Sequence, residues 1–253
     1  VTTPALEIAV DGPTGARTAF AAGADRVELC QALAATGGLT PSAATIDAVL
    51  AAAGSPERVA VLVRPRGGGF VYAPEEVALV AADIADAVRR GVGAVVVGAL
   101  TAAGELDRRA LDQWRRAAGD ADLVFHRAID VLPEPAAIVE DLVACGVRRV
   151  LSSGAAARSI DGRETLSALV SAAQGRLEIM AGGGVRVEDV PALLACGVDA
   201  IHLSARQPSG DTAPSGPGGG DPGFEVTDEA IVRRAAAALR RAALVQQPRR
   251  TGS

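Results

Sequence analysis

Lysine is missing from this 253-residue chain, whose 25 basic residues are all arginine. Without lysine no Schiff base can form on the chain and no Walker-type phosphate loop can work, so lysine-dependent aldolase chemistry is excluded. Positive charge is also in deficit, since the net charge of −5 leaves no electrostatic footprint for nucleic acid. No apolar run approaches the ~20 residues that span a bilayer, and the opening VTTPALEIAV lacks the basic stretch of a leader. The expectation is a soluble, cytoplasmic protein with neither a nucleic-acid nor a membrane partner. Cysteine is sparse as well: three scattered thiols, an odd number, make no disulfide framework and suit a reducing compartment.

What the chain does have is a repeat. AAGADRVEL (21–29), RRGVGAVVV (89–97), ACGVRRVLS (144–152) and ACGVDAIHL (195–203) each end a helical segment on a capping Gly and follow it with a β-branched run. The pattern predicts strands near 6–10, 26–30, 59–64, 94–98, 123–127, 149–152, 178–181 and 200–204. Helices are predicted near 14–22, 42–53, 74–90, 107–118, 134–145, 162–174, 186–196 and 227–245. Eight βα units at this length point to an α/β fold of the TIM (β/α)8 type rather than an open doubly wound sheet, and no dinucleotide fingerprint follows the first strand. A single domain is expected from residues 1–206 and 224–245, with 207–223 a flexible Gly/Pro-rich insertion and 246–253 a disordered tail.

Active sites of TIM barrels lie at the C-terminal ends of the strands, and that rule sorts the chemical residues. Cys145 and Cys196 fall at helix ends on the opposite face, where a free thiol is a small core side chain. Cys30 closes the second strand at the functional mouth, as a ligand, a reactive thiol or a core residue. Strand alternation sends Leu6, Ile8 and Val10 toward the helices and Glu7 into the barrel; by the same parity Glu28 and Cys30 face inward. Arg64 caps the third strand, His126 the fifth and His202 the eighth. Polar groups inside a barrel are costly unless paired, which marks Glu7, Glu28, His126 and His202 as candidate acids and bases. Buried ion pairing and a satisfied core histidine are the plainer readings of the same residues. Asp130 orients His126, acts as an acid or base, or caps the following helix.

The other half of the mouth reads as an anion cradle. MAGGGV (180–185) and LSAR (203–206) follow the seventh and eighth strands, where TIM barrels commonly hold phosphate, and LSSGA (151–155) adds hydroxyls. Gly182, Gly183 and Gly184 let the backbone approach an anion, with Ser153, Ser204 and Arg206 beside them. A tight turn without ligand would recruit the same glycines. Arg64 and Arg66, in VRPRGGGF (63–70), would clamp a second anionic group.

Taken together, RVELC, GGLTPS (37–42), VRPRGGGFVY (63–72), FHRAID (125–130), VLSSG (150–154) and IMAGGGV (179–185) resemble the CutC family, named for copper homeostasis. The resemblance runs in order from about residue 6 to 206. It implies a TIM barrel that is cytoplasmic and copper-binding and assembles as a homodimer or higher homo-oligomer, with no accepted enzymatic reaction. Gly69 stands where the family's loop has Asp. Two functions follow. In one the protein binds copper through Cys30, His126 and His202, with Met180 within reach, since Cu(I) favours soft donors. In the other it is an enzyme of lyase or isomerase type, using acid–base catalysis or a divalent metal, on a small phosphorylated or otherwise anionic metabolite.

Overall fold

Runs such as Val59–Leu62 and Ala94–Val97 are buried on both faces, an arrangement open only to a sheet filled within and covered by helices outside. The computed structural model describes residues 3–210 and 223–246, and in them the sheet closes on itself as eight parallel strands in sequence order. The strands are β1 Ala5–Val10, β2 Arg26–Leu29, β3 Val59–Leu62, β4 Ala94–Val97, β5 Asp122–Phe125, β6 Val147–Ser152, β7 Glu178–Gly182 and β8 Ala200–Leu203. Around them run α1 Pro13–Ala21, α2 Leu33–Thr36, α3 Ala43–Ala53, α4 Pro74–Arg90, α5 Arg108–Ala118, α6 Val139–Ala144, α7 Arg163–Ala173, α8 Val190–Leu194 and α9 Glu229–Gln246. The TIM barrel expected from the repeat is the fold.

Local chemistry sets the helix limits. Ser42 and Asp107 accept from the backbone N–H groups of Thr45 and Ala110, and left-handed Gly54 and Gly91 end α3 and α4. Buried Val80, Ile84 and Ala87 line one face of α4 at helical spacing. Trp114 of α5 is fully buried against it and donates its indole N–H to the Val77 carbonyl.

The barrel interior is divided. Under β2–β5 it is apolar, with Cys30, Ala60, Leu62, Ala94, Val96 and Val124 packed together. Under β1, β2, β6, β7 and β8 it is charged. Register places Glu7 of β1 beside both Arg26 of β2 and His202 of β8, and Arg149 of β6 beside Glu178 of β7.

Three features depart from the sequence pattern. The helices expected near 134–145 and 186–196 begin as 3-10 turns, Pro135–Ile138 and Val187–Asp189, leaving α6 and α8 short; Pro135 lacks the N–H of a regular first turn, and the Asp189 carboxylate takes the Arg186 N–H. Most of the insertion expected at 207–223 lies outside the described residues, but its ends pair as antiparallel strands β9 Arg206–Pro208 and β10 Glu225–Thr227, too short for alternation to reveal. The expected tail likewise lies outside them, apart from Gln246 at the end of α9. Cys145 and Cys196 sit at helix ends on the face away from the strand C-termini, one buried and one half-buried.

After β6 the chain folds back so closely that a Cβ on Gly154 would stand 2.1 Å from the Gly162 carbonyl oxygen, and Gly154 is itself left-handed at φ 71°. Gly154→Ala should therefore cost about 1–3 kcal/mol in urea unfolding, the usual range for overpacking. A loss below ~0.5 kcal/mol, the level of neutral surface changes, would show that the two loops part freely.

Candidate functional site

The strand C-termini surround a cavity of about 380 Å³, lined by Glu28, Arg64, His126, Arg127, His202 and Arg206, with Gly183, Gly184 and Ser204 at one side. Leu33, Leu62, Phe70 and Leu151 supply apolar wall. Sequence reasoning placed most of these residues at the mouth; the structure decides what each can do there.

On one side Arg64 braces the loops. Its guanidinium donates to the carbonyls of Thr36, Gly38 and Gly68, while Nε, though buried, has no acceptor. Phe70 lies over both Arg64, 5.2 Å from guanidinium carbon to ring centre, and His126, 4.9 Å ring to ring. The His126 ring occupies space left by Gly98, where a Cβ would stand 2.4 Å from it. His126 Nδ1 accepts from the Ala128 N–H, which puts the ring hydrogen of the neutral form on Nε2, and Nε2 is buried without a partner. Burial and the neighbouring Arg64 charge hold its pKa down to about 3, so the ring is neutral at physiological pH.

At the floor lies a chain of charges. His202 Nδ1 is 3.0 Å from Glu7 Oε1, and Nε2 is 3.6 Å from Glu28 Oε2, an ion contact longer than a hydrogen bond. Arg26 Nε donates to the other Glu7 oxygen at 3.1 Å, and its Nη2 to Glu178 at 2.5 Å. Arg149 Nε, 2.8 Å from Glu178, completes the row without the angle of a hydrogen bond. Burial would raise the Glu7 pKa, yet the His202 hydrogen bond and charge, with Arg26 and Arg149, hold it at about 2. For His202 burial acts downward and is outweighed by the Glu7 hydrogen bond and the two carboxylates, so its pKa rises. Glu28, pushed by burial to about 7, is poised between its two forms at neutral pH.

On the far side Asp130 organises the loop rather than touching His126 or capping a helix. It accepts from the Ser152 and Ser153 hydroxyls, from the N–H groups of Ser153 and Ala155, and from Arg127. The Ser153 hydroxyl is buried and already spent, since it also takes Arg127 Nη2. Gly182 is a strand residue whose missing Cβ leaves room for Leu151 and His202, so the cradle reduces to Gly183 under Arg127 and Gly184 against Arg158, left-handed at φ 113° and 59°. Ser204 is exposed at the rim. Arg206 Nη1 lies 3.4 Å from Asp11 and 3.2 Å from Glu225, while Nη2 is buried without an acceptor.

Three expectations move. Arg66 turns away from the cavity: Glu76, in the first turn of α4, takes its fork, and the carbonyls of Gly67, Gly69 and Val71 take the rest. Glu7 lies beneath the cavity as a partner of His202, not on its wall. Cys30 is packed in the apolar half; burial and the Glu28 and Asp11 charges push its thiol well above the ordinary value.

The copper set therefore does not assemble. Among the described residues no three His, Cys, Asp or Glu side chains form a metal-holding group. His126 Nε2 carries its hydrogen, both His202 nitrogens face carboxylates, and Met180 Sδ is buried 3.8 Å from Arg26 Nη2. A thiolate, the form that binds Cu(I), is disfavoured at Cys30.

Arg26, Arg127, Arg149 and Glu178 were not singled out from sequence. The alternation that turned Glu28 inward extends to Arg26 two residues earlier, and the parity of Met180 extends to Glu178. Arg127 gave no such signal, because its place depends on Asp130 in a non-repeating turn.

Comparison with known proteins gives consistent relatives. The CutC family model matches residues 4–207. A CutC family protein of Xanthomonas campestris pv. campestris (strain B100) is 45% identical over 204 residues, 80% of this chain and 84% of that protein. One from Xanthomonas axonopodis pv. citri (strain 306) is 41% identical over 94% of this chain and 99% of its own length. A solved structure of Streptococcus agalactiae, bearing the name copper homeostasis protein CutC, superposes with a TM-score of 0.74 at 35% identity, covering 79% of this chain and 98% of that one.

The titrations make a stability profile. His126, at about 3 against an ordinary 6.5, loses stability for the fold as pH falls from 6.5, because the unfolded chain binds the proton first. Glu28, at about 7 against 4.5, acts oppositely between those values, since the folded chain holds the proton. The two slopes, each about 1.4 kcal/mol per pH unit, cancel over much of that window. Below 4.5 Glu7 joins His126, and acid destabilises steeply. Urea midpoints should thus stay level from pH 6.5 to 4.5 and drop below it, whereas Glu28→Gln should decline from 6.5 onward. A Glu28→Gln profile as level as the parent's would refute the assignment.

Proposed function

The chain belongs to the CutC family of copper homeostasis proteins, and from that premise we propose that its barrel mouth binds a small phosphate- or carboxylate-bearing metabolite and moves a proton on it. One observation carries the reading. Arg64 Nε, His126 Nε2 and Arg206 Nη2 are buried donors without acceptors, and all three belong to residues lining the same cavity. An unmade buried donor costs about 1–3 kcal/mol, a cost that acceptor oxygens of an anion seated against these side chains would offset.

The chemistry follows from the floor. Ionised Glu28 takes a proton from carbon beside a carbonyl or acid group, and the C–H electron pair moves onto the oxygen, where the orphan donors meet the charge. Return of that proton to a neighbouring carbon completes an isomerisation; departure of a leaving group instead completes an elimination. His202, kept cationic by Glu7, draws Glu28 toward its basic form. Arg127 and the Gly183–Gly184 turn serve as the phosphate-binding loop. With no lysine available, acid–base enolisation replaces the Schiff-base route.

On this reading the family's part in copper homeostasis runs through the anionic ligand, and the bare ion is not ligated by Cys30, His126 and His202. We place the protein in the cytoplasm, supported by its free cysteines Cys30, Cys145 and Cys196; no helix among the described residues is long and apolar enough to cross a membrane. Homo-oligomeric assembly rests on the family resemblance.

Thermal unfolding with millimolar inorganic phosphate, at matched ionic strength, should show stabilisation of about 1.4 kcal/mol at ten times Kd. No shift at phosphate up to about 50 mM, above the millimolar range expected for a lone anion, would remove the anion reading. In parallel, Cu(I) titration should give the same affinity for the parent and Cys30→Ser; weakening in the variant would restore the copper site.

A further inference from the structure

The orphan donors are not gathered at one point. Arg64 and His126 share the Phe70 ring and sit at the ends of β3 and β5. Arg206 lies past β8 and is steered by Asp11, beyond β1, and by Glu225 of β10. Beside Arg206 come Ser204 and the glycine turn after β7, and β7 stands opposite β3 in the closed ring of eight. In the closed ring β8 faces β4, which β3 and β5 flank, so Arg206 enters the cavity from the arc opposite Arg64 and His126. An occupant that meets both sides reaches across the cavity between them. Between them the wall is apolar, at Leu33, Leu62 and Leu151, and Glu28 and His202 rise from the floor. All three donor residues are deeply buried, Arg64 at 7% exposure, His126 at 6% and the Arg206 side chain at 5%.

We infer that the ligand is a two-ended anion, a short carbon skeleton with one acid group held by Arg64 and His126 and a second held by Arg206 and the Gly183–Gly184 turn. The inference rests on the reading of the cavity as an anion site and adds the shape of its occupant. The apolar wall faces the skeleton, which explains why a polar cavity carries Leu33, Leu62, Leu151 and Leu203. Glu28 then addresses a C–H bond flanked by acid groups, where a neighbouring acyl oxygen can accept the electron pair. Asp11 and Glu225 hold only Nη1 of Arg206, so the second nitrogen keeps its capacity for the ligand. The cavity of about 380 Å³ has room for a metabolite of this size.

Calorimetric titration of the full chain can test this with ω-phosphonocarboxylates of one to four methylenes, set against methylphosphonate and propionate at equal ionic strength. At least one two-ended probe should bind ten times or more tighter than the better one-ended probe. Arg64→Gln should abolish that gain and leave methylphosphonate affinity within twofold of the parent. Should Arg64→Gln fail to fold, since Arg64 also braces loops, His126→Phe asks the same question of the same end. If methylphosphonate binds and no two-ended probe exceeds it, the inference falls and the anion reading stands. If no probe binds, both fall.

Discussion

A row of alternating charges inside the barrel, Glu28, His202, Glu7, Arg26, Glu178 and Arg149, is the constraint around which the rest is arranged. Buried ions survive only when each has an opposite neighbour, and here register supplies them: adjacent strands deliver Glu7 between Arg26 and His202, and Arg149 against Glu178. With His202 protonated, three cations face three carboxylates, and the row is then neutral only while Glu28 is ionised. A proton on Glu28 leaves it with a surplus positive charge beneath the cavity. An anion in the cavity and the negative charge of Glu28 thus draw on the same field, and binding the one favours protonation of the other. That coupling is what a proton-transfer site needs, because the base recovers its proton while the charged ligand is held.

Arginine does two different jobs around this row. Arg66 and Arg127 are partly exposed, and Arg66 is wholly engaged in holding its own loop. Arg64 and Arg206 are buried, each with part of its fork tied to the protein and one N–H left over. A planar fork with five donors can brace and bind at once, which an ammonium group on a flexible stem does less well. On the proposed reading a chain without lysine can therefore still build a rigid anion site, whose geometry the bracing contacts set before any ligand arrives.

The fold was legible because its signals are local. Capping glycines and β-branched runs mark each βα unit without reference to distant residues, and the eight strands lie within a residue or two of where they were expected. The helices that shortened, α6 and α8, did so at Pro135 and at the Asp189 capping contact, where side-chain chemistry competes with the first turn. Site residues were half legible. Alternation told which way Glu7, Glu28 and Cys30 face, but not how deep, and depth separates Glu28 on the cavity wall from Glu7 beneath it and Cys30 among alanines and valines. Arg66 and Asp130 were misjudged for one reason: their partners, Glu76 and the Ser152–Ser153 turn, are brought to them by tertiary folding, and no spacing in the sequence announces it.

The small hairpin of β9 and β10 bears on how such a chain can vary. It joins Arg206–Pro208 to Glu225–Thr227; the Arg206–Glu225 ion pair links its two strands, and the Arg206–Asp11 contact ties it to the end of β1. Whatever chain connects the two strands enters and leaves through that fixed gate, and lengthening a loop between fixed ends costs only logarithmically. Insertions, deletions or a grafted domain placed between Pro208 and Glu225 would therefore leave Arg206 at its place beside the cavity. In evolutionary terms the hairpin is a port, a spot where a barrel can acquire a new attachment without renegotiating its chemistry.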